Sequence, residues 1–179
     1  MLIHKILFST LINLDLAHSL TEILTMEKDK AQTVFSLIHT SIITSLTGYY
    51  FYTGSLALSD FTKVYSVGYL ITDASYFYIY KNHRDKNIFL LHHACFLLSW
   101  WFISYMSPYY MYYMYCGLLA EVSGIPLNLK FLSKVYNYPR ADFVFSILTY
   151  ICFFFSRVIN FTYLNYAVYQ EGVCKYYFI

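Results

Sequence analysis

Apolar runs close to twenty residues long alternate with short charged connections through most of the chain, at about 3–24, 32–52, 64–80, 88–106, 109–129 and 141–169. A helix that crosses a bilayer needs about 20 mainly apolar residues. These runs predict an all-α, polytopic bundle of about six transmembrane helices, with every backbone polar group satisfied inside its own helix. The run over 88–106 is the most continuous, and the last is longer than a bilayer requires, leaving room for tilt, a kink near Arg157 or a re-entrant turn. No repeat, low-complexity tract or interdomain linker interrupts the pattern. The stretch 1–25 reads as a first helix, 30–170 as one compact transmembrane domain and 171–179 as a short tail. A signal anchor is the alternative for the first helix: its start is basic, but Asn13, Asp15 and His18 interrupt the apolar stretch and no convincing A-x-A cleavage site follows.

Composition agrees with the pattern. Of 179 residues, 59% are hydrophobic and only 12% charged, against roughly 25% charged in soluble domains. A soluble fold of this size has too little interior to hide so much apolar surface. The net charge of +2 is too small to indicate a nucleic-acid partner. Cys95, Cys116, Cys152 and Cys174 are widely spaced with no C-x-x-C pair, so neither a zinc site nor a disulfide framework is expected. A histidine-based metal oxidase is also disfavoured, since it needs several ligands and His4 and His83 of the six histidines fall in interfaces.

Charge in the connections sets the expected orientation. Lys28, Lys30, Lys81, Arg84, Lys86, Lys130, Lys134 and Arg140 follow the first, third and fifth runs, whereas the opposite side holds Lys5, Lys63 and Lys175. By the positive-inside rule the three basic links are cytosolic and both termini face away. The tyrosines between Tyr109 and Tyr115 then lie at the far interface, where aromatic belts form.

This topology turns each intramembrane polar residue into a depth. With a rise of about 1.5 Å per residue, His39, Asp73, His92, His93 and Glu121 fall about 6 to 12 Å from the cytosolic boundary, with His18 near 9 Å. Arg157 lies deeper, about 24 Å in, where it can snorkel to the far interface or hold an anionic group. Ionisable groups in a bilayer cost several kcal/mol, so they face the interior, pair, and mark functional paths. Taken singly, His39 or His18 reads first as a hydrogen bond between helices, and Asp73 or Glu121 equally as a paired or protonated carboxyl. His92 and His93 carry more weight, because neighbours on a helix point about 100° apart: one can enter a cavity while the other fixes an adjacent helix.

The ordered segments Phe35-Ser36-Leu37-Ile38-His39, Ser66-Val67-Gly68-Tyr69-Leu70-Ile71-Thr72-Asp73, Leu91-His92-His93, Ala120-Glu121-Val122-Ser123-Gly124-Ile125-Pro126-Leu127-Asn128 and Phe154-Phe155-Ser156-Arg157 resemble the successive motifs of TLC-domain proteins. The likeness covers about residues 30–160. That family comprises multi-pass proteins, mostly of the endoplasmic reticulum, including ceramide synthases, translocon-associated proteins and smaller members linked to membrane lipid composition. The resemblance implies a TLC-like bundle, lipid metabolism or lipid homeostasis, and an endoplasmic reticulum location, although no retention signal stands in the final Lys175-Tyr176-Tyr177-Phe178-Ile179. It implies catalytic roles for His92, His93, Glu121 and Asp73, and substrate contacts for His39, Ser123, Asn128 and Arg157. No metal or bound cofactor is implied; acyl-CoA is the co-substrate if the protein is an acyltransferase.

Ceramide synthases pair their histidines with a His-Asp-x-Ser-Asp segment. Aligned on Ser123, this chain has Ala120, Glu121 and Gly124 in place of the histidine and the two aspartates. The Glu-x-Ser form is closer to the smaller TLC-domain proteins. As an enzyme, the protein would use a neutral imidazole to remove a proton from a lipid amine or hydroxyl, or to accept the acyl group itself, with Glu121 or Asp73 orienting it. The other reading is a non-catalytic protein that binds membrane lipids or another membrane helix through the same polar layer.

Overall fold

The computed structural model describes residues 6, 9, 10, 13, 28–80, 86–106 and 109–170. The described chain is helical, without strands among the described residues, in five rods. These are α1 (Lys28–Thr53), α2 (Ser59–Tyr80), α3 (Lys86–Met106), a fourth rod made of α4 (Tyr110–Leu118), a 3₁₀ turn (Leu119–Ser123) and α5 (Gly124–Val135), and a fifth made of α6 (Pro139–Phe153), a π-helical turn (Phe154–Ile159) and α7 (Asn160–Gln170). The helix expected over 3–24 lies mostly outside the described residues, though Ser9 and Asn13 are helical and buried.

Local chemistry explains the ends and breaks. Gly54, with φ +66°, closes α1 and returns its N–H to the Tyr50 carbonyl at 2.7 Å, the left-handed helix ending that glycine adopts without Cβ strain. Pro126 has no N–H to offer the Val122 carbonyl one turn earlier, so the fourth rod tightens into the 3₁₀ turn just before it. That rod runs on to Val135, beyond the boundary expected at 129. Lys130 and Lys134, expected in a connecting link, stand in its last turns, where long stems let the ammonium groups reach water. The true link is 136–138, with Asn137 at φ 57°, and Pro139 opens α6 at a position that needs no N–H donor.

The rods meet through small and polar side chains. Helix α5 lies along α6 and against α1, while α2 lies beside α3. A Cβ on Gly124 would come within 2.6 Å of Thr40 Cγ2, so glycine is what lets α1 and the fourth rod approach. Around Ile43, Met114, Tyr115 and Leu118 the bundle is apolar, with Tyr50 stacked on Tyr115 at 4.0 Å. Elsewhere the interior is polar: α2 buries Thr62, Ser66, Thr72 and Asp73. The fifth rod instead exposes Phe143, Val144, Ile147, Tyr150, Phe154 and Phe155. Among the described residues, Pro139–Gln170 is the one helix long and apolar enough to cross a membrane by length and composition alone; Leu90–Trp100 is a shorter apolar stretch.

Candidate polar site inside the bundle

Helical periodicity puts Gln32, Ser36 and His39 on one face of α1, and Tyr69 and Asp73 on one face of α2. The pair His92 and His93 stands on α3. Asp73 uses both carboxylate oxygens. Its Oδ2 lies 2.9 Å from His93 Nε2, with each side chain only 8% exposed, and its Oδ1 accepts a hydrogen bond from Gln32 Nε2. A buried carboxylate is tolerable when it is paired in this way, and the contact ties three helices together. His93 therefore points inward, while His92 is exposed, its ring edge-on to that of His93 at 5.7 Å.

One turn further in, His39 is enclosed by aromatic rings. It stacks on Tyr69 at 3.5 Å and 7°, and on Tyr65 at 5.3 Å and 25°. The Tyr69 hydroxyl donates to Ser36 Oγ at 3.1 Å, and the Asn128 amide donates to the same oxygen at 3.1 Å and to the Gly124 carbonyl at 2.8 Å. Ser36 thus joins α1, α2 and α5. His39 Nδ1 is buried with no hydrogen-bond partner among the described residues.

A second polar group forms at the break in the fourth rod. Ser123 donates to the Ala120 carbonyl at 2.8 Å and accepts from Arg157 Nε at 3.1 Å. Arg157 sits in the π-helical turn, the kind of local widening that recurs at functional sites, with its guanidinium 5.4 Å from the centroid of the Phe153 ring. Glu121, partly buried, stands in the same 3₁₀ turn two residues before Ser123. Asn160 Nδ2 and the Cys116 carbonyl, 2.6 Å apart, hold α7 to α4 on the same side.

The structure therefore brings Asp73 and His93 into contact, links His39 to Asn128 through Tyr69 and Ser36, and gathers Ser123 and Arg157 beside Glu121. Two placements differ from expectation. Because the fourth rod continues to Val135, Glu121 lies about 20 Å from its end at ~1.5 Å per residue, deeper than Asp73 and His93. Arg157, expected to stand apart, reaches back to Ser123 instead. The sequence reading gave no role to Gln32, Tyr65 or Tyr69. Gln32 stands seven residues before His39, a spacing that returns to the same helix face and could have marked it.

A family model described as TLC domain matches residues 29–178. Comparison with curated proteins and with solved structures gave no significant match. With that match covering most of the chain, and with its helical rods gathered around a polar interior, the protein belongs to the TLC-domain family.

Proposed function

We propose that the protein is a multi-pass membrane protein that acts on membrane lipids, transferring an acyl group from acyl-CoA to a lipid amine or hydroxyl. Family membership supports the lipid part of this reading and an endoplasmic reticulum location. The observation that carries the chemistry is the Asp73–His93 contact with His92 exposed beside it. In this reading Asp73 and Gln32 fix His93, His93 fixes the turn of α3, and His92 is presented to substrate. His92 takes the proton from the amine or hydroxyl as that atom bonds to the thioester carbonyl carbon. The tetrahedral intermediate then expels the thiolate by breaking the C–S bond, and His92 returns the proton to sulfur. Arg157, held by Ser123, would balance the oxyanion. The basic residues near Lys30, Arg84 and Lys134 support thioester entry from the cytosolic side, although at +2 overall the attraction for phosphates is modest.

The replacements Ala120, Glu121 and Gly124 argue against ceramide synthesis. A second reading has its own observation: the Asp73–His93–Gln32 group is enclosed and bonded, as a clasp between helices would be. The protein would then bind lipid or a membrane partner without chemistry. The test is to follow labelled acyl-CoA into a panel of lipid amines, alcohols and lysolipids with the purified chain. Transfer to any of them supports the enzyme; transfer to none favours the binding protein.

A further inference from the structure

Hydroxyls inside helices commonly hydrogen-bond back to the carbonyl one turn earlier. Ser41, Ser45 and Thr53 of α1 do so, as do Thr62, Thr72 and Ser75 of α2. Thr44, Thr47 and Ser66 stand between them on the same two helices and do not. Their oxygens are buried with no hydrogen-bond partner among the described residues, and so is the indole nitrogen of Trp100 on α3. Thr47 is 0% and Ser66 1% exposed.

These atoms share a level. At ~1.5 Å per residue, Thr47, Trp100 and Ser66 lie about 9 to 11 Å from the helix ends at Thr53, Met106 and Ser59, and Thr44 about 14 Å. They also share a neighbourhood. Trp100 packs on the cluster of Ile43, Met114, Tyr115 and Leu118, Ile43 adjoins Thr44 and stands one turn from Thr47, and the Tyr115 hydroxyl reaches Thr62, one turn from Ser66, at 3.4 Å. Further in, the unpartnered Nδ1 belongs to His39, whose ring is stacked between Tyr65 and Tyr69.

Three hydroxyls can each donate and accept, and an indole N–H only donates. A guest must offer both roles in a small volume. An acyl chain offers neither. An anionic headgroup would want a cation, and Lys63, on the same stretch of α2, is engaged with Asp60 at 3.8 Å and the Tyr110 hydroxyl at 3.2 Å. Water offers both roles, making about three hydrogen bonds in buried polar sites. In hydrocarbon the alternative is a set of unsatisfied groups.

We propose that α1, α2 and α3 enclose a site of bound water in the half of the bundle away from Asp73 and His93, lined by Thr44, Thr47, Ser66 and Trp100, with its innermost water reaching His39 Nδ1. The site does not depend on acyl transfer. The experiment is X-ray radiolysis of the full chain in lipid nanodiscs, which generates hydroxyl radicals from water in place, with oxidation read by mass spectrometry. Trp100 in the wild type should oxidise well above background, because the radicals form from water beside it. The pair Thr47→Val and Ser66→Ala should reduce that rate several-fold, whereas Ser75→Ala, whose hydroxyl bonds its own helix, should not. Oxidation of wild-type Trp100 at background level overturns the proposal whatever the variants do. If the double variant does not fold, Thr47→Val alone decides through its unfolding midpoint. A hydroxyl that holds water lowers the midpoint when removed; a dry one raises it, and a rise overturns the proposal.

Discussion

Helix α2 and the rod from Pro139 to Gln170 are inverted relative to one another. The first buries Thr62, Ser66, Thr72 and Asp73; the second exposes Phe143, Val144, Ile147, Tyr150 and Phe154. In water this arrangement would leave the hydrophobic effect unused. In a bilayer an apolar exterior costs nothing, since lipid tails are as apolar as leucine, and helices associate through close packing and hydrogen bonds. The interior of this bundle is accordingly sorted by hydrogen bonding, and its charged groups mark where something polar must be held. The difference also explains why Arg157, set in the most exposed rod, turns inward to Ser123.

The comparison breaks most severely at Asp73. Asp73→Ala strands His93 and Gln32 without their shared acceptor, and loss of one partner of a buried pair typically costs about 3–5 kcal/mol. Unfolding titrations in bicelles would measure it; a loss below about 1 kcal/mol would mean that the contact does not hold the helices. On the opposite surface, Ile147→Arg should cost about 2.5–3.5 kcal/mol of membrane insertion, read as glycosylation-reporter translocation, if that face meets hydrocarbon. An unchanged insertion would place Ile147 against protein or water. The smallest effect is expected at Ser36→Ala, which removes the shared acceptor of Tyr69 and Asn128: about 0.6–1.7 kcal/mol, the range of single hydrogen bonds between membrane helices. A cost as large as that of Asp73→Ala would make Ser36 the centre of the network instead.

Much of the architecture is legible in the chain. Apolar runs at 32–52, 64–80 and 88–106 correspond to α1, α2 and α3 within a few residues, because a long apolar run bounded by charge favours one continuous helix that satisfies its own backbone. The same logic misplaced the end of the fourth rod. Lys130 and Lys134 look like a link, yet lysines extend a helix into the interface at little cost, and Glu121 moved deeper as a result. Side-chain reach was also hidden. Rise per residue gives the depth of Arg157's backbone but not the direction of its guanidinium, which depends on the π-helical turn. Nor does spacing alone tell which of His92 and His93 faces inward; the Asp73 carboxylate on a neighbouring helix decides that.

The most direct measurement separates the two histidines. Wild type, His92→Ala and His93→Ala are purified in matched folded amounts, and acyl transfer from labelled acyl-CoA is followed beside the unfolding midpoint of each. His92→Ala should lose about 10² to 10⁴-fold in transfer, the usual contribution of a positioned proton acceptor, with its midpoint retained. His93→Ala should lose transfer and stability together, because it also breaks the contact with Asp73. Equal transfer by wild type and His92→Ala, or a midpoint that falls for His92→Ala and holds for His93→Ala, would contradict the division of labour proposed for the pair.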